Sequence, residues 1–229
     1  MKYRNDKRYL GLSNMIDKDN KSIYGLEFSY ETIPNELNLF DYDAFKQYKG
    51  DFYCVVTNLL TGQPEYMKYT GDDRTNTVLK ATCALPMLFP PIIINDVPYM
   101  DGGLSDSIPY LKAIEDGCDR IIVVLTRQSG YTKTTSRSTK AIAYSYRNQY
   151  PKLTETMLTR ASRYNESLKG LDQYVKEGRI ITIQPTTSKG FSRLEKDKNK
   201  ILSMYNDGYN QCYDCWIPSK NSMELNNST

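Results

Sequence analysis

Histidine is absent from all 229 residues. That absence removes the Ser-His-Asp triad, the Cys-His pair and the His-Glu-x-x-His zinc site, because each needs an imidazole to move a proton or hold a metal. Any chemistry must use carboxylates, hydroxyls, lysines, thiols or a metal held by oxygen and sulfur. A long apolar run is also lacking, since no stretch approaches the roughly 18 residues of a membrane-spanning helix. The amino terminus, M-K-Y-R-N-D-K-R-Y-L, begins basic like a signal peptide but has no apolar segment behind it. A cytoplasmic chain is therefore expected.

Charge of one sign is scarce as well. Lys plus Arg total 30 against 27 for Asp plus Glu, and a net +3 is too small to suggest a nucleic-acid partner. The one basic cluster, Arg127 to Lys140, reads as a solvated loop. Five cysteines, an odd number in a long chain, suit reduced thiols. Cys212 and Cys215 form a single C-x-x-C with no second pair, which is weak grounds for metal or redox work. No metal and no cofactor are expected.

What is present is the composition of a folded protein, 39% apolar and 25% charged. The pattern alternates between strand and helix. Asp51 to Leu59 is aromatic and β-branched and closes on Thr61-Gly62, which predicts a strand and turn. Thr75 to Leu85 has helical spacing and stops before Pro86. Ile92 to Ile94, Asn95-Asp96 and Val97 to Met100 predict two short strands around a tight turn. Pro109 suits the first turn of a helix ending at Gly117. Arg120 to Thr126 is continuously apolar over its middle, as in a strand buried on both faces of a parallel sheet. Helices are expected at 140–150, 151–176 and 192–212, with a strand at 178–185. The fold class predicted is α/β, an open and mostly parallel sheet flanked by helices. One domain is expected over residues 1–217, mainly helical from about 127, with a frayed polar tail at 218–229.

The stretch Y-M-D-G-G-L-S-D-S-I-P, Tyr99 to Pro109, carries the candidate chemistry. Asp101 follows a predicted strand, and functional groups in open α/β sheets cluster at the carboxyl ends of strands. Gly102 and Gly103 let another backbone or a substrate come close, having no Cβ. A turn explains the three letters equally well, since Asp-Gly is a common turn dipeptide. An unrelated α/β enzyme using Ser105 or Ser107 beside Asp101 and Asp106 is a further reading.

The segments around Asp101 narrow this. A-T-C-A-L-P-M-L-F-P-P, Ala81 to Pro91, and D-G-G-L-S-D-S-I-P-Y-L-K-A-I-E-D-G-C-D-R-I-I-V-V, Asp101 to Val124, together resemble the patatin-like phospholipases. That family has A-S-x-A-x-P-x-x-F-P-P before D-G-G or D-G-A, then a Pro-started helix and a buried strand. Thr82 stands where the family commonly has serine. L-T-R-Q-S-G-Y from Leu125, the Y-P-K-L from Tyr150 and I-Q-P with S-R-L-E-K-D extend the likeness to bacterial members over nearly the whole chain.

The resemblance implies a lipid acyl hydrolase with a Ser-Asp dyad, a mechanism that needs no histidine. It implies Asp101 as base, with Gly102 and Gly103 completing its motif, and a run from Leu85 to Ile94 bordering an acyl site. Its expected partners are a lipid acyl ester or a membrane surface met peripherally. The family's nucleophile lies on G-x-S-x-G, and its oxyanion donors on a glycine-rich loop. Neither pattern occurs here: Gly11-Leu12-Ser13, Gly103-Leu104-Ser105 and Gly190-Phe191-Ser192 close on Met15, Ser107 and Leu194, never on glycine. The chain thus resembles the C-terminal portion of such a hydrolase, N-terminally incomplete, carrying the aspartate without its serine and inactive alone. A separate N-terminal segment with the nucleophile is then a partner. The alternative is a non-catalytic lipid-binding or protein-interaction module on the same fold.

Overall fold

The computed structural model describes residues 2–3, 6–16, 22, 24–188, 190–191, 195 and 197–225. In chain order they form a 3-10 turn at Leu12–Met15, an i→i+5 helix at Phe28–Leu37, α1 (Tyr42–Lys46), β1 (Tyr53–Asn58) and β2 (Pro64–Lys68). Next come α2 (Thr77–Thr82), β3 (Ile92–Ile94), β4 (Val97–Asp101), a 3-10 turn at Gly102–Leu104, α3 (Tyr110–Glu115) and β5 (Ile121–Val124). The remainder is α4 (Arg137–Ser145), α5 (Pro151–Lys176), β6 (Ile180–Ile183) and α6 (Lys198–Leu225). The class is α/β, with sheets and flanking helices. Two compact units divide the chain, residues 1–107 with 134–164, and residues 108–133 with 165–229.

The first unit holds a four-stranded sheet in the order β2-β1-β4-β3. All three of its ladders are antiparallel. A mostly parallel sheet was expected; for two of the three ladders, β1–β2 and β3–β4, the reason for the difference is connection length. A few residues join β1 to β2 and two join β3 to β4, whereas parallel neighbours need a crossover of roughly a dozen or more. At the β3–β4 turn Asn95 and Asp96 both take positive φ, 49° and 63°, as a type I′ turn requires. The core gathers Leu59, Met100, Leu104, Leu153 and Met157 with Ala84 and Ala143. Val56, Ala81 and Tyr99 form a second cluster that joins β1 and β4 to α2. These burials put the apolar sides of two hairpin strands against helices, which fixes the register that carries Asp101.

The second unit contains the parallel pair β5–β6, with Ile121 opposite Ile180 and Val124 opposite Ile183. Pro109 precedes α3, and Gly117 ends it at φ 86°, a conformation that costs glycine little. Tyr110 packs edge-on against Tyr174 of α5 with ring centres 5.7 Å apart. The β5 run was expected to be buried on both faces. Instead Val123 is buried while Ile122 is 47% and Val124 70% exposed. Among the described residues β5 pairs only with β6, so one face and one edge stay open. The last helix also differs from its expected bounds, running as Lys198–Leu225 and passing through Pro218.

Candidate active site

Asp101 is the last residue of β4 and pairs with Val56 of β1. Its backbone is tied on two sides: the Asp101 N–H donates to Ala84 O at 2.9 Å, and its carbonyl accepts the Thr57 hydroxyl at 2.8 Å. The carboxylate accepts the Gly103 N–H at 2.7 Å, so it caps the 3-10 turn that its own motif forms. A carboxylate has about four lone-pair positions, so this bond orients the group without exhausting it. The strand, the cap and the half-buried setting leave Asp101 with a defined direction at the carboxyl end of β4.

The two glycines serve different neighbours. A Cβ at Gly102 would lie 2.1 Å from the Val55 carbonyl oxygen, so β1 and the turn approach as closely as backbone allows. The same carbonyl accepts the Thr82 hydroxyl at 2.6 Å, which ties the end of α2 to β1. A Cβ at Gly103 would lie 2.9 Å from the Asp101 carboxylate oxygen Oδ1. Glycine at 103 therefore keeps space beside the acid group itself.

Tyr30 and Cys83 share the field of Asp101. Burial lifts the Tyr30 hydroxyl above the ordinary tyrosine range, and the neighbouring Cys83 and Asp101 add to the lift. Burial also lifts the Cys83 thiol; a hydrogen bond with Tyr30 opposes this, and the Asp101 charge reinforces it. Cys83 keeps exposed surface, yet its sulfur is crowded enough to lose hydration. At neutral pH it is a thiol, and thiolate is the nucleophilic form. Neither neighbour is an activated nucleophile.

The serines of the stretch have structural partners. Ser105 is buried; its hydroxyl meets the Thr57 hydroxyl at 2.8 Å and donates to Gly102 O at 3.3 Å. Ser107 donates to Gly103 O at 2.7 Å. Asp106 accepts the Tyr66 hydroxyl at 2.7 Å. These bonds fasten the loop to the sheet and give no support to a nucleophile at 105 or 107. Ser13 is exposed on the first 3-10 turn, and Ser192 and Leu194 lie outside the described residues. Of the run bordering an expected acyl site, Phe89 and Ile92 pack on the core, while Met87 and Ile93 are 64% and 56% exposed.

Two arginines on α5 were not visible as site residues in the sequence. Arg160 Nε donates to Gly103 O at 2.6 Å, and Arg163 donates through one terminal nitrogen to Leu104 O and Thr156 O, each at 2.7 Å. Their spacing of three puts them on one helix face. Separations of 57 and 59 residues from their acceptors kept the link out of any local motif. The described residues contain no group of three or more metal-ligating side chains. No described helix is long and apolar enough to cross a membrane.

Compared with known proteins, residues 9–114 match the family model of the patatin-like phospholipases. Residues 150–223 match a domain of unknown function (DUF6363). No curated protein matches the chain.

Proposed function

Residues 9–114 belong to the patatin-like phospholipases, a family of lipid hydrolases, and on that premise we propose that Asp101 is the base of a Ser-Asp dyad acting on lipid acyl esters. The observation that carries the reading is the setting of Asp101: a carboxylate at a strand end, oriented by the Gly103 N–H and held clear by a glycine. In such a dyad the carboxylate takes the serine proton as the serine oxygen attacks the acyl carbon, then returns it to the leaving alcohol. Backbone N–H groups stabilise the oxyanion, commonly the largest contribution in acyl transfer.

The serine and the oxyanion donors come, on this reading, from a polypeptide segment outside these 229 residues. Ser105 and Ser107 are committed to the loop, and Cys83 is held as a thiol. A peripheral encounter with lipid in the cytoplasm fits the apolar rim of the first unit. Leu39, Phe40, Phe52 and Tyr53 are 43% or more exposed. Phe52 and Tyr53 lie at the end of β1 toward which β4 runs as it reaches Asp101. Aromatic and aliphatic side chains of that kind settle at lipid–water boundaries.

The test is hydrolysis of p-nitrophenyl butyrate and of phosphatidylcholine vesicles. The 229-residue chain alone should give no turnover. Co-expression with a patatin-like segment bearing G-x-S-x-G should give turnover that Asp101→Asn lowers by about a thousandfold or more. Turnover indifferent to Asp101→Asn would overturn the role of the aspartate. Turnover by the chain alone would overturn the missing-serine reading.

A further inference from the structure

We infer that Arg160 is a positioning residue for Asp101, holding the D-G-G turn in place and its carboxyl in the charged form. This rests on the reading of Asp101 as a base. It extends that reading to a helix in the 150–223 segment, for which the matching family has no assigned function.

Three observations converge. Arg160 Nε holds the Gly103 carbonyl at 2.6 Å, while the N–H of the same Gly103 holds the Asp101 carboxylate at 2.7 Å. One glycine is thus gripped at its carbonyl by the arginine and at its amide by the aspartate. Next, a Cβ built at Gly103 would lie 2.9 Å from Asp101 Oδ1 and 3.5 Å from a terminal nitrogen of Arg160. Cation and carboxylate are therefore about 6.4 Å apart at most, close enough for the charge to favour ionised Asp101. Finally, Arg163, one turn along the same helix face, takes the next carbonyl, Leu104 O. The turn is held at successive residues by successive guanidinium groups, whose planar forks carry several donors each.

Two described neighbours of Asp101 supply no charge of their own. Tyr30 from the i→i+5 helix and Cys83 from the end of α2 both stay neutral at neutral pH. Asp106, further along the loop, adds a negative charge and accepts from Tyr66. Among the described residues, Arg160 brings a positive group to the motif.

The experiment uses the full chain labelled with carboxyl-¹³C aspartate, the Asp101 resonance being assigned by its loss in Asp101→Asn. Arg160→Gln keeps stem and amide donor but removes the charge. It should raise the Asp101 titration midpoint by about one unit and speed exchange of the Gly103 amide about tenfold. Arg160→Lys should restore the midpoint but not the slow exchange, because an ammonium is a point charge without the fork. Arg163→Gln, the control for a merely structural contact, should leave the midpoint in place. An unchanged Asp101 midpoint in folded Arg160→Gln, or an equal rise in Arg163→Gln, overturns the inference. Should Arg160→Gln not fold, a lysine variant whose midpoint rises as far as in denaturant overturns it equally. Failure of the base reading is separate: it appears as hydrolysis unaffected by Asp101→Asn, whatever the titrations give.

Discussion

Asn76 donates its side-chain amide to the Tyr30 carbonyl at 2.6 Å, bridging the loop before α2 and the i→i+5 helix. The same amide reaches the Tyr42 hydroxyl at 3.1 Å, and its oxygen accepts from Tyr69. Asn76 is buried and takes φ 53°, a left-handed conformation that asparagine tolerates better than most residues. Asn76→Ala leaves a half-buried carbonyl and two tyrosine hydroxyls each short of one partner. It should cost about 2–4 kcal/mol by the usual range for buried polar groups left unsatisfied. Tyr42→Phe, which removes the bond accepted from Asn76 and the bond donated to Asn35, should cost about 1–2 kcal/mol. Urea midpoints of the three proteins measure both, and an Asn76→Ala loss no larger than that of Tyr42→Phe would contradict the account.

Asp73 gives the chain a distinct acid response. Burial pushes its carboxyl up, but hydrogen bonds from Thr75 and Thr77 outweigh burial and bring it down to about 2 from 3.8. A depressed folded value means that the stabilisation is complete above the unfolded value and is lost as pH falls through the folded one. Asp73→Ala should therefore be less stable than the parent at pH 6. The difference should narrow below about pH 4 and vanish only below about pH 2. Denaturation midpoints across that range decide it; a difference constant with pH would show that Asp73 acts by packing alone.

The open side of β5 predicts self-association. A parallel strand with an edge unpaired among the described residues, and with exposed Ile122 and Val124, offers both backbone groups and apolar area to another chain. Sedimentation velocity should show concentration-dependent association of the parent chain, and Ile122→Lys with Val124→Lys should shift it toward monomer. Association unchanged by the lysines would place the contact elsewhere.

Local signals in the sequence translated well. Asn95-Asp96 announced its own turn, Pro109 and Gly117 bracketed α3, and Pro151 opened α5, because each acts within a few residues of itself. Strand direction translated for β5, which runs parallel to β6, but not for the four-stranded sheet, since a run such as Tyr53 to Asn58 looks the same whichever way its neighbour runs. The run Ile121 to Val124 promised two covered faces, and burial depends on partners that the run does not contain. Asp101 could be singled out because its glycines and flanking segments are contiguous. Arg160, Arg163, Tyr30 and Cys83 could not, because only the folded chain brings residues so far apart to one turn. The i→i+5 helix at Phe28–Leu37 holds Pro34, which in sequence reads as a stop.

The pair Gly102-Gly103 divides one motif between two constraints. At 102 the Val55 carbonyl admits only hydrogen, so that position records how closely strand β1 runs beside the turn. At 103 the limit is the aspartate's own oxygen, so that position records whether the acid needs room. On the proposed reading of Asp101 as a base, drift in chains without that activity would be free to enter at 103 while 102 stayed fixed. Under that proposal the third letter of the motif reports on the chemistry, and the second reports on architecture.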